Sequence, residues 1–532
     1  MRSNAQFAAG VYVKMHDRLG FIVTISLILF LLLSTSITGA SVSYVAKGFA
    51  LNEKVTENQL EILRSNPEDL RAFFLAMPKG GDIHNHITGG IYAEDLIEEA
   101  GNSGLCVSLE NHTVSSRYCG SANSVPVSDA YSNSQLYNQI VDEWSMRDID
   151  QSAESDHDHF FNSFGLFGGA TSNTSSLVAN LRSSAARENV LYLELMTGAG
   201  SAASNLGSSV GWDDNLSRMY NKMVDSGLDS TAQSLSDYVN DTDGGSQRIL
   251  KNRNDPGINV TVRYILSASR NMPKERVFGQ LAAAFSAVNR SRLAVGVNLL
   301  SAEDNWYSRE NYTQQMKMIE FLHGIYPNVL IALHAGELNL GIVPPDDLRF
   351  HIKEAVDIAH ASRIGHGVDI MWELDSDQTL KKMARDKIAI EIMPVSNKEI
   401  LGVEGLEHPF PVYFRYSVPI VLASDDAGVL RTDLCEQFVT IARNYPQVKY
   451  PDFKKFVRNS IEYSFLQGDS IWASKGDYSR ALIECSGCAL GSENATSKCK
   501  AFLDSSEKAR AQWKLEGDLA AFEEKYAKRL IK

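Results

Sequence analysis

Seven ionisable side chains stand at the ends of short apolar runs. His84 and His86 lie in DIHNHI, His334 and Glu337 in ALHAGE, His366 in RIGHGV, and Asp425 and Asp426 in VLASDDAG. Residues two apart on a strand point to the same side, so His84 and His86 share one face. Three histidines and an aspartate form a ligand set that zinc accepts, with a further position left for water. Zinc lowers the pKa of bound water from about 15.7 to about 7. The resulting hydroxide needs a base to orient and deprotonate it, and His366 is placed for that role. An acid must protonate the acceptor, and Glu337, three residues beyond His334, fits if its pKa is raised. Of the two adjacent aspartates, one can bind metal while the other reaches substrate.

These groups need a scaffold that gathers distant segments. Eight apolar runs, several β-branched on both faces, read as buried parallel strands: 81–87, 190–196, 260–266, 294–300, 329–333, 363–368, 388–392 and 420–423. Helical periodicity fills gaps between them at 277–288, 312–325, 347–361 and 374–384. This alternation predicts an α/β fold, a (β/α)8 TIM barrel, whose strand ends converge on one rim where active sites form. An open doubly wound sheet fits less well, because no G-x-G-x-x-G follows the first strand. The fourth strand, AVGVNLL, holds no lysine to bridge two metals, which favours one zinc per chain. Two gaps are long. Residues 98–189 form an insertion after strand 1, and 201–257 is a polar stretch in which Asp241–Gly245 (DTDGG) reads as a loop. The insertion holds a second H-x-H pair, His157 and His159, but away from any strand end, so it is not read as a ligand pair.

The chain has 532 residues and a net charge of -14, with no long basic run, which argues against nucleic acid as a partner. An uncharged apolar stretch, Leu19 to Ile37, follows Lys14 and Arg18 and precedes Thr38-Gly39-Ala40. It predicts export through a signal peptide, or an N-terminal membrane anchor with the barrel outside the cytoplasm. The six cysteines read as disulfide candidates in an oxidising compartment; Cys106 and Cys119 could close a hairpin-like loop. Cys485, Cys488 and Cys499 lie in a Gly/Ser/Asn-rich segment. The expected organisation is a leader or anchor (1–40), a helical segment (41–77), the barrel (78–450) and a helical C-terminal extension with the cysteine loop (451–532).

Met77-Pro78-Lys79 before DIHNH, then HAGE, GHG, MPVSN (393–397) and SDD (424–426), resemble the adenosine deaminase family over about residues 78–437. The leader and large insertion resemble its secreted, growth-factor-related branch. The resemblance implies hydrolytic deamination of adenosine to inosine and ammonia. His84, His86, His334 and Asp425 would bind zinc. Glu337 would protonate purine N1, His366 would position and deprotonate water, and Asp426 would bond N7. Two positions depart from the family pattern. Thr88 stands where an aspartate usually meets the ribose, and Ser301 stands where a glycine-acidic turn offers its amide to N3. The expected partner is a small purine nucleoside, including 2'-deoxyadenosine, and a homodimer is compatible with the chain. Deamination of AMP, adenine or a modified adenosine is the alternative, as is an extracellular signalling or binding protein on the same barrel. For AMP, Lys79 and Arg431 are the only cations near these motifs.

Overall fold

The computed structural model describes residues 51–115, 118–120, 123–149 and 154–529. The leader or anchor expected at 1–40 lies outside them. Among the described residues, no helix is long and apolar enough to cross a membrane. The chain divides into a larger unit, Gln59–Phe522, and a smaller one formed by its two ends.

The larger unit holds eight parallel strands in sequence order: β1 (Gly80–His86), β2 (Val190–Gly198), β3 (Thr261–Ser269), β4 (Ala294–Leu300), β5 (Leu330–Ala335), β6 (Arg363–His366), β7 (Ala389–Ile392) and β8 (Ile420–Leu422). All eight expected strands form. Residues of β6, β7 and β8 are buried throughout, as strands covered on both faces require. The ring closes just beyond β8. The Asp425 amide donates to the His84 carbonyl at 3.0 Å, and Asn85 bridges Asp425 in parallel register. The four helical gaps are also helical, as Lys274–Val288, Trp306–Ile325, His351–Asp357 and Ser376–Asp386. Helix Tyr450–Glu462 packs on β1 and on β8.

The DTDGG loop does not exist. Those residues lie inside a single helix, Leu228–Arg253, with Thr242, Asp243, Gly245 and Ser246 buried. Their polarity serves a helix–helix contact. Asp243 pairs with buried Arg182, and a Cβ on Gly245 would fall 2.2 Å from Ser175 Oγ, so glycine permits the close approach. The C-terminal extension, expected to be helical outside its cysteine loop, also contains a hairpin, Trp472–Ser474 against Asp477–Ala481. Its turn uses Gly476 at φ 75°, a conformation glycine adopts without steric cost.

In the insertion, Cys106–Ser108 pairs with Val114–Ser115 and Ser124–Pro126, and Cys106 is bonded to Cys119. A second disulfide joins Cys485 to Cys499. Cys435 and Cys488 are thiols.

Candidate active site

The first-strand pair and the fifth-strand histidine meet at the barrel rim. His334 Nε2 lies 3.0 Å from His84 Nε2 and 3.3 Å from His86 Nε2. Asp425 Oδ1 lies 3.6 Å from His84 Nε2 and 3.3 Å from His86 Nε2. Four donors around a tetrahedral zinc, with bonds of about 2.0–2.2 Å, would be separated by roughly 3.3–3.5 Å. The observed spacings cluster at that value, so these residues fit the ion. The electrostatics differ across the cluster. Burial opposes a charge on His86, yet Asp426 and Asp425 raise its pKa to about 9, whereas burial and the neighbouring imidazoles hold His334 well below its usual range, as a neutral nitrogen donor requires.

Three of the four candidate ligands are held from behind. His84 Nδ1 lies 2.7 Å from Glu391 Oε2, and His334 Nδ1 lies 3.1 Å from Asn298 Oδ1, which also accepts the His334 amide at 3.2 Å. A proton on each Nδ1 leaves each Nε2 lone pair free for metal. Ser396 Oγ donates to Asp425 Oδ2 at 2.6 Å. Glu391 is paired with Arg363, which also pairs with Glu194 at 2.5 Å, all three buried. Gly365 of the GHG motif makes room for the first ligand, because a Cβ there would fall 2.6 Å from His84 Cε1. His366 and Asp425 adopt left-handed φ of 69° and 60°, unusual for non-glycine residues and typical of constrained functional sites.

The acid–base candidates border this cluster. His366 Nε2 is buried without a hydrogen-bond partner, 3.9 Å from Asp425 Oδ2. Glu337 lies with an Oε1 3.5 Å from His366 Nδ1. Burial, then the charges of Asp425 and Glu303, holds the Glu337 carboxyl well above its usual range, as an acid catalyst requires. Glu303 fixes its backbone, accepting from the Gly336 and Glu337 amides at 3.1 and 2.9 Å. Burial would raise Glu303, but Arg270 and His351 bring it down to about 2. Asp426 is raised to about 7 by burial and by Asp425, against the pull of His86. Its Oδ1 is buried and unpartnered.

The lower-ranked positions fall nearby. Thr88 is half-buried in the turn after β1. Ser301 follows β4 at φ 81°, its hydroxyl 3.0 Å from Ser269 Oγ. His157 and His159 lie on helix Asp156–Phe167, where His157 meets Asp304 at 3.3 Å and His159 meets Glu154 at 3.2 Å. Neither is in a potential metal group among the described residues. The sequence reading missed Glu391, Arg363, Glu194, Asn298 and Glu303. Four of them carried a usable signal: a polar residue inside, or opening, an otherwise apolar strand.

A second carboxyl pair underlies the HAGE loop. A Cβ on Gly336 would fall 2.3 Å from Asp369 Oδ1, and Glu373 accepts from the Lys353 amide at 2.9 Å. Burial raises both, Glu373 to about 8. A folded-state pKa above the unfolded value of 4.5 gives stability that is full below that pH and lost as pH rises through about 8. Urea midpoints should therefore fall across this window, and Glu373→Gln should flatten the fall. An identical slope in the variant would remove Glu373 as its cause.

A parallel barrel that gathers ligating imidazoles and a carboxylate on one rim is of the metal-dependent hydrolase class. A family model for adenosine deaminase matches residues 159–472, more than half of the chain. The chain belongs to the adenosine deaminase family. The match begins after β1, so His84 and His86 join the matched region through barrel closure. An adenosine deaminase of Mycobacteroides abscessus is 27% identical over 222 residues, 40% of this chain and 56% of that relative. The chain thus spans little more than half the length of that curated relative. Among solved structures, an adenine deaminase from Arthrobacter aurescens is 17% identical with a TM-score of 0.47, covering 73% of this chain and 94% of its own. An Arabidopsis N6-mAMP deaminase is 18% identical with a TM-score of 0.47, covering 74% and 96%.

Proposed function

We propose that this protein is an exported, zinc-dependent deaminase that converts adenosine and 2'-deoxyadenosine, with water, to the corresponding inosines and ammonia. The observation that carries the reading is the approach of His84, His86, His334 and Asp425, with contacts of 3.0–3.6 Å among them and His366 in the same cluster, beside a buried Glu337 whose carboxyl is held well above its usual range. His84, His86, His334 and Asp425 would hold the zinc, which supplies a water acidic enough to ionise near neutral pH. Glu337 gives its proton to purine N1 as the C6–oxygen bond forms, so the ring nitrogen accepts the displaced electron pair. His366 holds the attacking oxygen. Asp426, raised to about 7, faces N7 and donates to it in its protonated form. Thr88 and Ser301 border the sugar end. Two disulfides are consistent with an extracellular setting, and residues 1–40 are assigned as the leader or anchor, ahead of the helical segment, the barrel and the C-terminal extension.

A phosphate-bearing substrate is disfavoured by the fate of the two candidate cations. Lys79 precedes β1, at the opposite end of the barrel, with its ammonium buried on the carbonyls of Phe74 (2.6 Å) and Glu188 (2.7 Å). Arg431 pairs with Glu94 at 2.6 Å. The test is a panel of adenosine, 2'-deoxyadenosine, AMP, adenine and N6-methyladenosine with the zinc-loaded protein, read by ultraviolet absorbance and ammonia release. Turnover of AMP ahead of adenosine would overturn the substrate assignment, and none with any purine would overturn the function.

Gly89 reports on Asp426. A Cβ there would fall 1.7 Å from Asp426 Oδ1, so Gly89→Ala must displace the carboxyl from its seat. The expected result is a rise in KM of about tenfold, the worth of one hydrogen bond to a polar substrate group, with zinc content unchanged. Unaltered kinetics would exclude Asp426 as a purine contact.

A further inference from the structure

Behind His366 runs a chain of hydrogen bonds that begins on a backbone amide. The Phe410 N–H donates to His408 Nδ1 at 3.0 Å. His408 is buried, and burial lowers its pKa to about 4, so it is neutral at physiological pH. With Nδ1 accepting, its single proton is on Nε2, which lies 3.0 Å from Asn397 Oδ1. That contact fixes the carboxamide: oxygen toward His408, nitrogen toward His366. Asn397 Nδ2 lies 3.0 Å from His366 Nδ1 and donates to it. A turned-over carboxamide would set its NH2 against the His408 Nε2–H, donor against donor, in a fully buried site on helix Pro394–Leu401. An imidazole that accepts at Nδ1 carries its proton on Nε2.

We infer that His408 and Asn397 are positioning residues that set the tautomer of His366, so that its Nε2–H donates to the attacking oxygen. The direction of this bond departs from the role expected of His366 as the base. A nucleophile that ionises near neutral pH needs a donor to aim its lone pair, and the buried Nε2 has no other partner. The competing acceptor for a proton on Nδ1 is Glu337 Oε1, at 3.5 Å, where a hydrogen bond is at its limit. The role of the donor rests on the proposed deamination; the tautomer does not.

Ring-15N-histidine NMR of the zinc-loaded full-length protein, with His366 assigned by loss of its signals in His366→Gln, reads the tautomer directly. The expected wild-type spectrum has Nε2 protonated and Nδ1 bare. Asn397→Asp offers His366 an acceptor of equal size and should invert the tautomer. It should lower kcat by about 10²–10⁴-fold while KM stays nearly constant, as a wrong tautomer does in a serine-protease triad. His408→Gln keeps an acceptor and a donor in line and should preserve both tautomer and rate, whereas His408→Leu frees Asn397 and should lower kcat about tenfold. A wild-type Nδ1 that carries the proton overturns the inference, as does an inverted Asn397→Asp protein with normal kcat. Because the spectrum needs no substrate, an inactive purine panel sinks the proposed function while leaving the tautomer measured.

Discussion

Glu337→Gln is expected to lower kcat on adenosine by about 10³–10⁴-fold with zinc still bound. Burial and the facing charges of Asp425 and Glu303 push the carboxyl toward its neutral form, which an amide of the same shape imitates in charge and packing. Glu303 binds the backbone amides of Gly336 and Glu337 and does not depend on the side chain. What glutamine lacks is an acidic proton for the ring nitrogen. Metal content by mass spectrometry and urea stability should match the wild type while turnover disappears. Turnover near the wild-type rate would end the assignment of Glu337 as the acid.

Glu391→Ala should damage both metal binding and stability. Glu391 accepts from His84 Nδ1 and pairs with Arg363, and neither carboxyl oxygen reaches solvent. Its loss frees the His84 ring to rotate, which costs roughly 10–100-fold in metal affinity. It also leaves buried Arg363 with Glu194, two backbone carbonyls and the face of the Phe465 ring as its remaining partners. Breaking a buried pair from one side costs about 3–5 kcal/mol. Competition titration against a chelator and urea denaturation of the metal-free protein separate the two effects. Glu391→Gln, which keeps an acceptor for His84, should lose less affinity than alanine. Metal-free stability unchanged in the alanine variant would mean that the Arg363 network does not hold the barrel floor.

The chemistry-bearing residues were legible because they interrupt apolar strands at their ends, where a parallel barrel converges. Covalent order carried that signal: DIHNHI, ALHAGE and VLASDDAG each place polar groups just past a buried run. Strand limits were less legible. The third strand runs to Ser269 instead of Leu266, since backbone pairing continues through the small residues Ser267, Ala268 and Ser269. Asp241–Gly245 was misread because two glycines and two aspartates favour turns locally, whereas Arg182 and Ser175, 61 and 70 residues before their partners Asp243 and Gly245, make them a packed helix face. His408 left no trace in the pattern. Its importance comes from a neighbour it meets only after the chain turns back on itself, and residue spacing does not encode that meeting.

The seam between the first and last strands has a consequence for how the protein is made. His84 emerges early and Asp425 late, and the amide of Asp425 stitches the circle to the carbonyl of His84. A nascent chain cannot assemble the proposed ligand set until all eight strands have been synthesised. Capture of an ion by these residues would therefore follow completion of the barrel, and chelation during biogenesis should leave a ring whose joint is held by its hydrogen bonds and the packed helix alone.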